Sequence, residues 1–222
     1  MAISNGMLAV AAKQMVDSLM KSGYLFESVD IESDLAEKIK NNVIGHAAAC
    51  AVASMAAGLI PGAGGLVAMG LSAGALWAMF IKICKLCKIS IRKNMLKTIS
   101  SAMITDLAVS AASLVAVEVL ASFVPGAGVV VAGLVNFFVV YAGGLLFLKL
   151  LGLFFTRLNR NPEDVNEEEM RKVIKDLTEE EDLRGIFKEA KDTFKSMRKD
   201  GTLDKVAKGF DIQSNEEEDE ND

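Results

Sequence analysis

Apolar residues fill the middle of the chain in two long runs, and the same four-residue phrase interrupts each run. The phrase is Pro61-Gly62-Ala63-Gly64 in the first run and Pro125-Gly126-Ala127-Gly128 in the second. Proline removes a backbone donor and clashes with the preceding turn, and glycine allows positive φ, so a helix cannot continue through either phrase. Each run is therefore predicted to form a helical hairpin, with turn residues Pro61, Gly62, Gly64 and Pro125, Gly126, Gly128.

The two hairpins are long enough to reach across a membrane. The first contains no charged residue from Val43 to Ile81, and each of its halves would be about 27 Å long, close to the thickness of a bilayer core. The second is predicted over 103–124 and 129–155. Aligning the two phrases superimposes the hairpins, which indicates an internal duplication. The predicted fold class is all-α, with two tandem apolar helical hairpins forming four membrane helices, flanked by amphipathic helices.

The flanking helices are predicted from apolar residues at helical spacing and from capping residues. An N-terminal helix is expected to end at Gly23, and Asn166 is expected to cap a polar helix. Thr178 and Glu181 have the spacing of a capping box that would open a last amphipathic helix. The apolar face of that helix is predicted to consist of Leu183, Ile186, Phe187, Ala190, Phe194 and Met197.

Charge divides the chain into a basic apolar part and an acidic polar part. Residues 1–160 carry 13 Lys/Arg and 8 Asp/Glu, whereas residues 161–222 carry 11 and 21. We expect N-terminal amphipathic helices over 1–42, a duplicated hairpin membrane domain over 43–160, an acidic cytosolic helical tail over 161–212 and a disordered acidic tail over 213–222. Three cysteines fit a reducing compartment without disulfides.

A block of cations separates the two hairpins. It consists of Lys82, Lys85, Lys88, Arg92, Lys93 and Lys97. A short loop this basic is typical of the cytoplasmic side of a membrane and of contact with anionic lipid headgroups, and both termini would lie on the same side. No aromatic residues alternate with these cations, so lipid is favoured over nucleic acid as the partner.

The run from Leu59 to Ala63, the basic helix from Ile81 to Ile89 and the run from Phe123 to Gly128 resemble a bacterial family of unknown function. This YcjF-like family occurs in inner-membrane proteins and beside some small GTPases. The resemblance covers about residues 50–155, although Lys88-Ile89-Ser90 replaces the Tyr-Gly step that the family often shows. It implies a helical module at the bacterial cytoplasmic membrane, with a separate GTPase as one partner and no established catalytic residues.

Catalytic chemistry is not indicated, so we expect no enzyme activity and no cofactor. The chain lacks a phosphate-binding loop, and its one histidine, His46, lies in an apolar helix. Cys84 and Cys87 form a Cys-x-x-Cys motif beside lysines, a setting that favours the thiolate. With His46 and Cys50 they are weak candidates for a zinc site; the alternative is that they fill helix surface.

Glu118 is the one charged residue in the second hairpin between Asp106 and Lys149. An ionisable group at that depth is a candidate for ion passage or subunit pairing, and protonation or contact with water is the alternative. The leading hypothesis is a non-enzymatic membrane protein that organises a membrane or docks a partner, with homo-oligomers as an option. The alternatives are a soluble α-helical interaction module and a small channel or pore-forming protein.

Overall fold

A computed structural model describes residues 6–23, 29–57, 64–120, 127–158 and 164–210, and these residues form eight α-helices. The all-α class is confirmed. The helices are α1 (Met7–Lys21), α2 (Val29–Ala57), α3 (Gly64–Leu86), α4 (Lys93–Leu120), α5 (Ala127–Leu153), α6 (Glu167–Glu180), α7 (Leu183–Lys199) and α8 (Thr202–Ala207), and α5 ends in a π-helical turn, Phe154–Leu158.

The helix bounds repeat along the chain. Helices α2 and α4 begin at Val29 and Lys93, and α3 and α5 begin at Gly64 and Ala127, so both pairs are offset by nearly the separation of the two Pro-Gly phrases. Helix α4 begins ten residues before the apolar run predicted at 103. Apolar content marks burial rather than helix, and nothing between 93 and 103 breaks a helix, so the basic start of α4 belongs to it.

The turn motifs lie only partly within the described residues. Gly64 and Gly128 lie in the first turns of α3 and α5. Pro61, Gly62, Pro125 and Gly126 lie outside the described part of the chain.

Helix α5 is the centre of the bundle because it is apolar on every face, as expected of a helix surrounded by others. The ring of Phe147 stacks on Phe80 of α3 with centroids 4.0 Å apart. Gly144 lets α2 approach closely, since a Cβ there would lie 2.6 Å from Cγ1 of Val43. Lys149 near its end pairs with Glu181 after α6 at 2.6 Å.

Helix α7 packs its apolar face on α5. The predicted face is confirmed, because five of its six residues are buried: Ile186, Phe187, Ala190, Phe194 and Met197. Phe194 packs on Phe137 at 5.5 Å and Phe187 packs edge-on against Phe138 at 5.1 Å. Helices α1, α6 and α8 also pack against the hairpin helices, so amphipathic helices surround the hairpins on several sides.

One carboxylate joins three helices. Glu189 of α7 accepts hydrogen bonds from the Tyr141 hydroxyl of α5 at 2.6 Å and from the Met7 backbone N–H at 2.8 Å. The N-cap residue of α1, Gly6, offers no side-chain cap. The carboxylate therefore caps α1 from a distant part of the chain.

Two predicted helix boundaries are confirmed, the start of α6 and the end of α1, and the predicted start of α7 is wrong. Asn166 caps α6 by accepting from the Glu169 N–H at 2.9 Å, and α1 ends before Gly23 with φ of 74°. The capping box is wrong, because Asp182 caps α7 by accepting from Gly185 N–H at 3.0 Å. Nothing stops α6 before Glu180, so Thr178 stays in its last turn, buried.

Among the described residues one helical segment, Gly128–Thr156, is long and apolar enough to cross a membrane. Its most apolar window has a mean hydropathy of 2.2, and 67% of that window is buried inside the bundle. The core helix of a water-soluble bundle has the same length and composition. Four membrane helices are therefore not confirmed.

Candidate functional site

A buried group of polar side chains joins α2, α3 and α5 at one level of the bundle. The Ser72 hydroxyl donates to Oδ1 of Asn136, and the Cys50 sulfur lies 3.7 Å from the same hydroxyl. Asn136 Nδ2 donates to the Ala132 carbonyl at 2.9 Å. All three side chains are buried, and we call them the polar layer. Ser72 and Asn136 superimpose when the two prolines are aligned, so they are equivalent positions of the duplication.

Helices outside the hairpins cover the hairpin helices as far as about the level of the polar layer. Helix α7 reaches α5 at Phe137 and Phe138, the two residues that follow Asn136. The ring of Phe210, beyond α8, occupies the space that a side chain at Gly45 would need. On this side of the polar layer α5 is almost wholly buried from Phe137 to Leu151. We call this part of the protein the body.

On the other side of the polar layer lie the described ends of both hairpins, residues 51–57, 64–71, 114–120 and 127–135, which we call the tip segments. Partly buried apolar side chains occur along the described parts: Val52, Met55, Leu71, Val129, Val130, Val131, Leu134 and Val135. The tip segments contain one charged residue, Glu118. From Asn136 to the start of α5 the helix rises about 14 Å, roughly half of a bilayer core.

The basic loop, from Lys82 to Lys97, lies at the opposite end of α3 and α4 from the tip segments. All six of its cations are exposed. The Lys82 ammonium lies 4.7 Å from the centre of the Phe210 ring, and the Lys97 ammonium lies 5.6 Å from that of Trp77. The first cation follows Ser72 by ten residues, about 15 Å along the helix. The loop and the tips therefore lie far apart.

The four weak zinc candidates do not form a ligand cluster. Within the described residues, no three His, Cys, Asp or Glu side chains come together in a way that could hold a metal ion. Cys50 belongs to the polar layer, and His46 Nδ1 donates to the Asn42 carbonyl at 2.9 Å. Burial lowers the pKa of His46 to about 4, so the ring is neutral.

The expected thiolate character of Cys84 and Cys87 is wrong. Both side chains are buried, and burial raises the pKa of each thiol to about 12. The neighbouring lysines of the motif point outward and are exposed, so water screens them, and removal of the sulfur from water has the larger effect. The alternative, that both cysteines only pack on the helix surface, agrees with this burial.

Glu118 lies in α4 within a tip segment, but its side chain is outside the described part of the structure. Its proposed roles therefore stay predictions.

Sequence reasoning missed the polar layer and the Glu189 contacts. Ser72 and Asn136 could have been noticed as two polar residues in apolar runs that occupy matching positions after the two Pro-Gly phrases. Glu189 gives no such signal, since it is one of two acids among six cations in α7. Its partners, Tyr141 and the start of α1, are known only from the fold.

Comparison of the chain with models of known protein families gave no match, and neither did comparison with characterised proteins or with solved structures.

Proposed function

We propose that this protein is a non-enzymatic, membrane-associated helical protein whose two tip segments insert into one leaflet of a bilayer while its body stays in water. The observation that supports this most is the division of the hairpins at the polar layer. On one side amphipathic helices cover α5, and on the other the apolar side chains of the tips are only partly buried. Lipid tails would complete their burial.

The length of the tips favours insertion over spanning. From Cys50 to its end at Ala57, α2 rises about 10 Å, and from Asn136 back to its start at Ala127, α5 rises about 14 Å. Both lengths fit within one leaflet of a core about 30 Å thick. Spanning would place the helices from Val43 onward in lipid. In that case α7, whose apolar face now covers Phe137 and Phe138, would have to leave α5.

In this arrangement the chain enters and leaves the membrane on the same side. Both termini and the basic loop lie in the cytosol, in line with the positive-inside bias. The basic loop lies about 15 Å or more from the headgroups of the leaflet that holds the tips. Headgroup contact by its cations belongs to the alternative in which the hairpins span.

The cellular role that fits is to organise a membrane or to hold a partner at its surface. The resemblance to the YcjF-like family adds a bacterial cytoplasmic membrane and a separate GTPase as the partner, and the exposed acids of α6 are a surface on which a protein could dock. A small channel is a further proposal, which rests on Glu118 alone.

A soluble interaction module is the second candidate, and the burial of 67% of the most apolar window of α5 favours it. The two candidates differ in whether the protein binds vesicles that carry no net charge. Phosphatidylcholine is the choice because it removes electrostatic attraction to the basic loop.

Flotation with phosphatidylcholine vesicles tests the proposal. Wild type is expected to float, and Ala56→Lys, at an exposed tip position, is expected to bind at least about tenfold more weakly, since a lysine in hydrocarbon costs about 2.5–3.5 kcal/mol. Ser101→Lys, at an exposed body position, is the matched control and should bind as wild type does. A wild type that stays with the aqueous phase, or an Ala56→Lys variant that floats equally well, contradicts insertion.

A further inference from the structure

The last described residue anchors the C-terminal end of the chain beside the basic loop. The Phe210 ring packs edge-on against His46 with centroids 5.1 Å apart and lies in the space left open at Gly45. The Lys82 ammonium lies over the same ring, 4.7 Å from its centre. The twelve residues that follow, 211–222, therefore begin next to the first cation of the loop.

The charges of the two segments are complementary. Residues 211–222 contain seven acids and no cation, and the stretch 82–97 contains six cations and no acid. All six cations are exposed. Opposite charges at this density attract one another as a network, whereas a single exposed pair contributes little.

The tail is long enough to reach every cation of the loop. Twelve extended residues span up to about 40 Å. Lys97 lies beside Trp77 of α3, and Lys88 follows the end of that helix. The cations therefore extend over about 17 Å along the axis of α3. A segment tethered this closely has an effective concentration of the order of millimolar.

We propose that the acidic tail, residues 211–222, docks on the basic loop and keeps it from other anionic ligands. The docking is electrostatic and needs no fixed conformation of the tail. An anionic surface or an acidic partner must displace the tail before it can bind the loop. The inference is independent of membrane insertion, because the loop and the tip segments lie at opposite ends of the hairpins.

Carbodiimide cross-linking of the protein with its acidic tail, read by mass spectrometry, tests the docking directly. Cross-links are expected from Glu216–Glu220 to Lys82, Lys85 and Lys88, and they should disappear in about 0.5 M NaCl, where the screening length is a few ångströms. A variant of equal length with Glu216→Gln, Glu217→Gln, Glu218→Gln, Asp219→Asn and Glu220→Gln should lose them. The Lys208–Asp211 cross-link remains possible in that variant and shows that the reaction worked.

A second measurement separates docking from a chance cross-link. Inositol hexakisphosphate serves as a soluble anionic probe, and the neutral-tail variant should bind it about tenfold more tightly than wild type at low salt, as expected when a tethered competitor is removed. Equal affinities would overturn the inference. So would tail cross-links that go mainly to lysines of α6 and α7, or a reaction that yields only the Lys208–Asp211 product.

Discussion

Replacing Glu189 by alanine should loosen the covering of α5 more than any other single change to an acid on α7. The carboxylate accepts the Tyr141 hydroxyl at 2.6 Å and the first backbone N–H groups of α1, from Met7 at 2.8 Å and Leu8 at 3.4 Å. Tyr141 is 2% exposed, so water cannot replace the lost acceptor without a rearrangement. The substitution therefore affects α1, α5 and α7 together.

The expected cost follows from two contributions. An unpaired buried hydroxyl costs about 1–3 kcal/mol, and loss of an N-terminal cap costs about 0.5–2 kcal/mol. We expect Glu189→Ala to lower the free energy of unfolding by about 2–4 kcal/mol. Tyr141→Phe removes the hydroxyl together with its need for a partner, so it should cost only about 0.5–1.5 kcal/mol.

Urea unfolding followed by circular dichroism measures these values. Because both substitutions break the same hydrogen bond, the double variant should cost less than the sum of the singles by about 1 kcal/mol. Glu180→Ala, an exposed acid at the end of α6, is the control and should change stability by less than about 0.5 kcal/mol. Additive effects, or a loss below about 0.5 kcal/mol for Glu189→Ala, would refute the inferred contacts.

Three further predictions concern buried groups of the body. The pKa of His46 is lowered from 6.5 to about 4, so protons bind the unfolded state more tightly than the folded state. The free energy of unfolding should therefore fall between pH 6.5 and 4 by up to about 1.4 kcal/mol per pH unit. His46→Gln should remove that slope in urea titrations, and an unchanged slope would contradict the shift. Gly144→Ala places a Cβ 2.6 Å from Val43 and should destabilise by about 1–3 kcal/mol, whereas Gly70→Ala meets nothing within 4 Å and should be neutral or slightly stabilising in the same assay. Cys84 and Cys87, with pKa values of about 12, should react with a disulfide reagent far more slowly in the native than in the unfolded protein, and equal rates would show that they are accessible.

The repeated helices were predictable because their signals are local. The Pro-Gly phrases divide each apolar run, and the helices of the second hairpin begin where an alignment of the two phrases places them, to within one position. The apolar face of α7 follows from spacing alone, and five of its residues are buried as predicted. Asn166 is a cap by the same local logic, since its side chain reaches only three residues ahead.

Whether protein or lipid surrounds each part of the hairpins was not predictable, because hydropathy does not distinguish burial in protein from burial in lipid. Helix α5 is apolar on every face, and this pattern suits a bundle core and a membrane span equally. The polar layer that divides the body from the tips depends on contacts between α2, α3 and α5. The thiol chemistry of Cys84 failed for a related reason, since sequence places lysines beside it but does not show which side chains are buried.

Depth measurement at two tip positions tests the central claim most directly. Gly70 and Gly128 both have open space around them, so Gly70→Cys and Gly128→Cys can each carry a fluorescent label whose quenching by brominated lipids reports depth. If the tips insert into one leaflet with the polar layer at its surface, the label at 128 lies about 12 Å deep and the label at 70 only about 3 Å deep. The reverse order, with 70 near the bilayer centre and 128 near the far headgroups, would show spanning hairpins, and two labels that stay in water would show a soluble bundle; either result contradicts the account.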